Sequence, residues 1–234
     1  MLENIVYILQ NYGMVFWNGL YYTILYALIT VIIGTFIGAI LAVCRISKYK
    51  ILNAIVVAYI EVIRDTPTLM QIYFFWIIIP RLFSGITDTQ SVLMALIAGM
   101  SAYTAEIIRA GIEAIDSGQT EAAESLGMSG INIMIYIILP QAIKNILPAL
   151  CNEFITAIKS TSLASIFFLG ELMTAYKSVQ AATFLVIEPF FSIKLIIRIK
   201  SSSGDLIAFK VILGNSTTNV EGRALISKFN PSFS

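Results

Sequence analysis

The sequence holds no histidine, and only two cysteines, Cys44 and Cys151, in 234 residues. Without imidazole there is no histidine acid–base catalysis and no Cys/His zinc cluster. Both cysteines sit inside apolar runs, where a thiol packs as a small hydrophobe more readily than it finds a disulfide partner. No G-x-x-x-x-G-K-[ST] phosphate loop occurs, so the chain is not expected to hydrolyse ATP. Charge is scarce too: Asp, Glu, Lys and Arg make up 12% of the residues, about half the share of a soluble domain. The net charge of +1 offers no field to attract nucleic acid, so no nucleic-acid partner is expected. In their place the chain is 58% hydrophobic. A chain this apolar cannot cover itself with polar surface, which makes it an integral membrane protein with the lipid bilayer as its surroundings.

Residues 1–19 carry no Lys or Arg, so no cleavable signal peptide is read there. Tyr7, Tyr12, Phe16, Trp17, Tyr21 and Tyr22 suggest an interfacial segment ahead of the first span. That span is expected over about 22–43, long enough to cross roughly 30 Å of hydrocarbon. Gly34-x-x-x-Gly38 within it allows a neighbouring helix to pack closely. Arg45, Lys48 and Lys50 follow at once. By the positive-inside rule they are cytoplasmic, which places the N-terminus outside and, after five spans, the C-terminus in the cytoplasm.

A second apolar run, 51–80, is interrupted by Glu61, Arg64, Asp65, Thr66 and Pro67. Pro67 lacks an N–H and disfavours helical geometry at Thr66, so the helix is expected to bend or unwind there. Intramembrane charges usually face a cavity; the other reading is a self-neutralising Glu61–Arg64 pair. The third span is expected over 92–108, with Glu106 and Arg109 on one face and paired. The fourth, about 142–158, carries Glu153 some 16 Å along its axis, near the bilayer centre. Glu153 reads either as a site residue or as a salt-bridge partner of Lys159 or Arg64. Lys159-Ser160-Thr161-Ser162-Leu163 follows it. A partly buried outer helix is expected over 163–176 and a fifth run from Val179 to Phe191. Then Lys194, Arg198 and Lys200 put three cations where a span should finish. The stretch 192–234 is therefore atypical, reading as a shifted frame or an unrelated extension. The fold class expected is all-α, polytopic, with about five transmembrane helices.

One polar segment stands apart from these runs: Glu121-Ala122-Ala123-Glu124-Ser125-Leu126-Gly127, continuing to Ile137-Ile138-Leu139-Pro140. Its residues are mostly good helix formers, and Ala122 and Ala123 offer a smooth face to another protein. Gly127 can take the positive φ that ends a helix, and Pro140 suits a first helical turn. The pattern is a short helix, a glycine turn, and re-entry into the membrane. Glu-Ala-Ala, three residues, Gly, nine residues, Ile, one residue, Leu-Pro resembles the cytoplasmic "EAA" loop of the permease subunits of bacterial ABC importers. Arg64-x-Thr66-Pro67, Ala102-Tyr103-x-Ala105-Glu106-x-x-Arg109-x-Gly111-Ile112 and Lys159-x-Thr161-Ser162-Leu163 resemble strings of the polar amino-acid permeases within that family. The resemblance spans roughly residues 15–191, and on it residues 20–191 are an importer transmembrane domain.

The resemblance implies a multi-pass permease of the bacterial cytoplasmic membrane that translocates a polar amino acid. Glu121, Ala122, Ala123, Gly127, Leu139 and Pro140 would couple it to an ATP-binding subunit. Glu61, Arg64, Thr66, Pro67, Glu153, Lys159, Ser160, Thr161 and Ser162 would line the substrate path. ATP and Mg would act in the partner ATPase, with no cofactor in this chain. A second permease, in a homodimer or heterodimer, and an extracytoplasmic substrate-binding protein would complete the machine. Ser160 departs from the acidic residue common at that position, which argues against a strongly cationic solute. The alternative is an ion-coupled secondary transporter or channel without an ATPase, using Glu61, Arg64 and Glu153 as relay charges. That alternative gives no reason for the Glu-Ala-Ala spacing.

Overall fold

In lipid, backbone polar groups must be bonded within the segment that carries them, and every regular element here is helical. The computed structural model describes residues 1–46 and 49–202 and contains no strand among them. Lys48 and the tail from 203 onward, both read from sequence above, lie outside the described residues. The described residues divide into two compact units, 14–178 and 1–13 with 179 onward.

Helix α1 (Leu2–Ile46) takes in both the aromatic N-terminal stretch and the first expected span without a break at residue 19. No proline interrupts it, and at 1.5 Å per residue it is about 67 Å long. Helix α2 (Lys50–Asp65) ends where the sequence asked it to: Thr66 is extended (φ −92°, ψ 131°), and Pro67 opens α3 (Thr68–Leu82). Helix α4 (Asp88–Glu113) begins with a capping box. Thr87 accepts from the Gln90 N–H, and the Gln90 side chain accepts from the Thr87 N–H. Helix α5 (Ser117–Ser125) is followed by α6 (Gly130–Ile133), a π-helical turn over Met134–Ile138, and α7 (Leu139–Thr161). A 3₁₀ turn (Ser162–Phe167), α8 (Leu172–Thr183) and α9 (Ile187–Ser202) complete the described chain.

Three of these segments are long and apolar enough to cross a membrane: Leu2–Arg45, Asp88–Glu113 and Gly130–Phe167. The other two expected spans are each divided. Thr66–Pro67 separates α2 from α3, and the run from Val179 to Phe191 breaks at Phe184, whose φ is +57°. The expected outer helix over 163–176 is also corrected. Phe168 (φ +52°) and Gly170 (φ +75°) turn the chain there, so the 3₁₀ turn and α8 are separate pieces. Helix α9, by contrast, continues to Ser202, past the point at 192 where the apolar pattern becomes irregular.

Within residues 14–178, α4 is the central element, packed by α2, α3 and α7. The Gly34–Gly38 pair serves this packing. A Cβ added to Gly34 would stand 2.5 Å from Met100 Cγ, and one on Gly38 would stand 2.7 Å from the Ser101 carbonyl oxygen. Only glycine lets the two helices approach so closely. The start of α8 is fastened to α1 with its free amides satisfied. Thr23 Oγ1 accepts from the Leu172 N–H at 3.0 Å, the buried Glu171 carboxylate accepts from the Met173 and Thr174 N–H groups, and Tyr26 donates to the Leu169 carbonyl at 3.1 Å. In the other unit, Asn4 donates to Glu188 at 3.3 Å.

Candidate functional site

Two helix breaks and one carboxylate define the polar interior of residues 14–178. Pro67 leaves the carbonyls at the end of α2 without their usual helical donors. Gln71, 5% exposed, supplies them: its Nε2 donates to the Ile63 carbonyl and, at 2.8 Å, to the Thr66 carbonyl. Its Oε1 is buried without a partner, and a Cβ on Gly99 would lie 3.5 Å from it. Beside this break is a cavity of about 200 Å³ whose lining includes Thr30, Thr68, Tyr103, Glu153, Thr156 and Ser160. The volume is below the roughly 300–1,000 Å³ of pockets for drug-sized ligands, so the cavity suits a small solute. Glu153 is the one charged residue of its lining, and it makes no ion pair among the described residues. An unpaired carboxylate in an apolar span is costly, which makes Glu153 the candidate site residue.

Glu61, Asp65 and Lys159 are exposed and make no ion pair among the described residues, whereas a group of half-buried charges meets at Glu106. Glu106 on α4 receives Arg109 from one turn below, Arg45 from the end of α1 and Arg64, 3.7 Å away, from the end of α2. Arg109 also holds Glu113. The guanidinium of Arg64 lies 5.7 Å over the ring of Tyr103, a cavity-lining residue. The expected Glu106–Arg109 pair is therefore present. The readings that paired Arg64 with Glu61 or with Glu153 are corrected: Glu106 lies on the neighbouring helix and takes Arg64.

The Glu-Ala-Ala segment forms α5, capped at its start by Asp116, whose carboxylate accepts from the Gly118 N–H at 2.7 Å. Gly127 has φ +79°, the left-handed geometry expected of it. Glu121, Ala122 and Leu126 are exposed. Ala123 is not, which corrects the reading that both alanines face outward. It is 4% exposed and packs with Ile133 and Ile138 in a cluster that also takes in Ile112 and Met128. A side chain larger than methyl would push α5 off that cluster. The exposed Leu139 and Pro140 mark the start of α7. The proline has no N–H to give the preceding turn, and that turn is widened to π-helix, the Leu139 N–H bonding the Met134 carbonyl.

Of the predicted path residues, Glu153 and Ser160 line the cavity and Thr66 and Pro67 form the break next to Thr68. Thr161 is buried and donates to the Ile158 carbonyl at 2.7 Å, while Glu61, Lys159 and Ser162 are exposed and outside the lining. The helix does change at the Lys159–Leu163 string: α7 stops at Thr161 and the 3₁₀ turn begins. Sequence reading missed Gln71 and Thr30. A neutral glutamine four residues after a proline inside an apolar run was the available signal for the first.

The model of the family described as "Binding-protein-dependent transport system inner membrane component" matches residues 34–199. An arginine transport system permease protein, ArtQ, of Bacillus subtilis is 37% identical over 76% of this chain and 82% of its own length. A putative glutamine transport system permease protein, GlnP, of Rickettsia bellii is 40% identical over 71% of this chain and 77% of its own. Among solved structures, a chain from the "crystal structure of an amino acid ABC transporter with histidines" superposes with a TM-score of 0.77. It is 36% identical, covering 87% of this chain and 95% of that one.

Proposed function

The chain belongs to the family of binding-protein-dependent transport system inner membrane components, as the permease subunit of an ABC importer, and from that premise we propose which residues do what. ATP hydrolysis lies in a partner subunit of such importers. The solute is a polar amino acid, and it passes through the cavity between α1, α3, α4 and α7. The observation that carries this is Glu153: a carboxylate facing a small hydroxyl-lined cavity with no protein cation beside it. A carboxylate there can accept from an ammonium, and hydroxyls on Thr68, Ser160 and Tyr103 can donate to a carboxylate. Relatives named for arginine and for glutamine transport support the same class.

Helix α5 is the element that the ATPase pushes, through Glu121, Ala122 and the Gly127 turn. Ala123, packed on Ile133 and Ile138, joins α5 to the π-turn and so to α7, which carries Glu153. Movement of α5 therefore reaches the cavity along one helical rod. ATP and Mg act in the partner, a second permease copy or a sister subunit forms the other half of the pathway, and an extracytoplasmic binding protein delivers the solute. The N-terminus lies outside and the C-terminus in the cytoplasm. The inward- and outward-facing states must differ in affinity for solute or nucleotide if ATP use is to drive uptake.

Replacing Gly127 by valine tests the coupling half, since a β-branched residue resists φ +79°. The complex is expected to hydrolyse ATP while uptake of amino acids falls by about tenfold or more; normal uptake would remove α5 from the coupling role. Glu153→Gln tests the cavity half: uptake is expected to fall with permease still in the membrane, and unchanged uptake would remove Glu153 from the path.

A further inference from the structure

A threonine inside a helix ordinarily satisfies its hydroxyl by donating to the carbonyl three or four residues back. This chain follows that habit repeatedly: Thr23 donates to Gly19, Thr66 to Val62, Thr156 to Asn152, Thr161 to Ile158 and Thr183 to Val179. Thr30 does not. It is 3% exposed, its Oγ1 is buried without a partner, and it lines the cavity that Glu153 enters. An unpaired buried hydroxyl is disfavoured unless something else occupies it. Its place on α1 explains how it is held there. Thr30, Gly34 and Gly38 follow one another at four-residue spacing on the buried stripe of α1. The two glycines let α1 approach α4 at Met100 and Thr104, and Thr30, one turn earlier on the same stripe, lines the cavity.

We propose that Thr30 is a solute-binding residue, its hydroxyl donating to an acceptor oxygen of the transported amino acid while Glu153 accepts from the solute's donor groups. The lining offers no cation to meet a carboxylate, so a hydroxyl donor freed from its own helix fits that oxygen. This rests on the cavity being the solute path. Thr104 serves as an internal control: it too is fully buried with an unpaired Oγ1, but it packs on Gly38 and does not line the cavity.

The test uses cells whose own copy of the gene is deleted and replaced by wild type, Thr30→Val, Thr30→Ser, Thr104→Val or Glu153→Gln, with equal permease in the membrane checked by immunoblot. The probe is an equimolar mixture of the proteinogenic amino acids, with uptake read by mass spectrometry. Thr30→Val, which keeps the shape and removes the donor, is expected to lower uptake of the transported species about tenfold through a raised KM. Thr30→Ser is expected to restore most of it, and Thr104→Val to stay within about twofold of wild type, since it removes no hydrogen bond. Full uptake by Thr30→Val, or equal losses in Thr30→Val and Thr104→Val, would overturn the assignment of Thr30 while a Glu153→Gln loss kept the path. Full uptake by Glu153→Gln, or no wild-type uptake of any amino acid, would instead bring down the path and this inference with it.

Discussion

Two charged regions lie within a few helical turns of each other, and they are built in opposite ways. Around Glu106, three arginines from three helices meet one carboxylate, and Arg109 also holds Glu113. The cavity that Glu153 lines, about 200 Å³, has no cation in its lining, only hydroxyl-bearing residues together with Leu96, Gly99, Met100 and Ala157. Read from the residues alone, Glu106 is expected to pair with Arg109, while Glu153 stays open between a site residue and a salt-bridge partner. The structure separates them. A saturated charge holds helices together, and the unsaturated one is the solute contact we propose. The same distinction applies to hydroxyls, with Thr23 bonded within the fold and Thr30 left open.

The largest test of this contrast is Glu106→Ala. It leaves Arg45 and Arg109, both mostly buried, without their shared partner. A loss of about 3 kcal/mol or more is expected, read as a fall in folded yield and in unfolding temperature in detergent. Wild-type stability would erase the difference between the two regions. Glu153→Gln should do the reverse, reducing uptake by about tenfold or more while unfolding temperature holds or rises, because a half-buried carboxylate is replaced without unpairing another charge. Gln71→Leu comes next: it deprives the Ile63 and Thr66 carbonyls of their donor at the break, and about 1–2 kcal/mol of stability should go with it. Arg64→Met sharpens the account of the hub. At 37% exposure and 3.7 Å from Glu106, Arg64 is a marginal member, and its loss should cost no more than about 1 kcal/mol.

The smallest effect concerns pH and lies outside the membrane spans, at Glu171. Burial pushes its carboxyl above the ordinary range, opposed by its hydrogen bonds from Thr174 and Met173 and by Lys177. A raised acid binds its proton more tightly in the folded chain. Its contribution to stability is therefore complete below the ordinary carboxylate pKa and declines as pH rises through the raised value. Unfolding midpoints measured across the acid-to-neutral range should show this decline, and Glu171→Gln should flatten it. An identical slope in the variant would show that other groups produce it.

Much of this was legible in the residues because it depends on local chemistry. Pro67 disfavours helical geometry at Thr66, Gly127 permits a left-handed turn, and Gly34 with Gly38 permits close packing; each is found as expected. Glu153 could be identified as costly at its depth. What could not be read was decided by neighbours far along the chain. Arg64 takes Glu106, 42 positions away, rather than Glu61 because helix packing brings them together. Ala123 faces inward because Ile133 and Ile138 return to meet it. Phe184 has no glycine or proline beside it to announce a break, so the run from Val179 looked continuous, whereas at 163–176 Gly170 was the available signal for the turn at Phe168. Thr30 escaped notice because an unpaired hydroxyl is visible only once its neighbours are known.

The most direct measurement is a cryo-EM map of the assembled importer with an amino acid bound. The expected result is solute density in the cavity, with a donor group of the solute against the Glu153 carboxylate and Thr30 within hydrogen-bonding distance of an oxygen. Glu153 paired instead with a cationic side chain of the complex, with the solute elsewhere, would contradict the account.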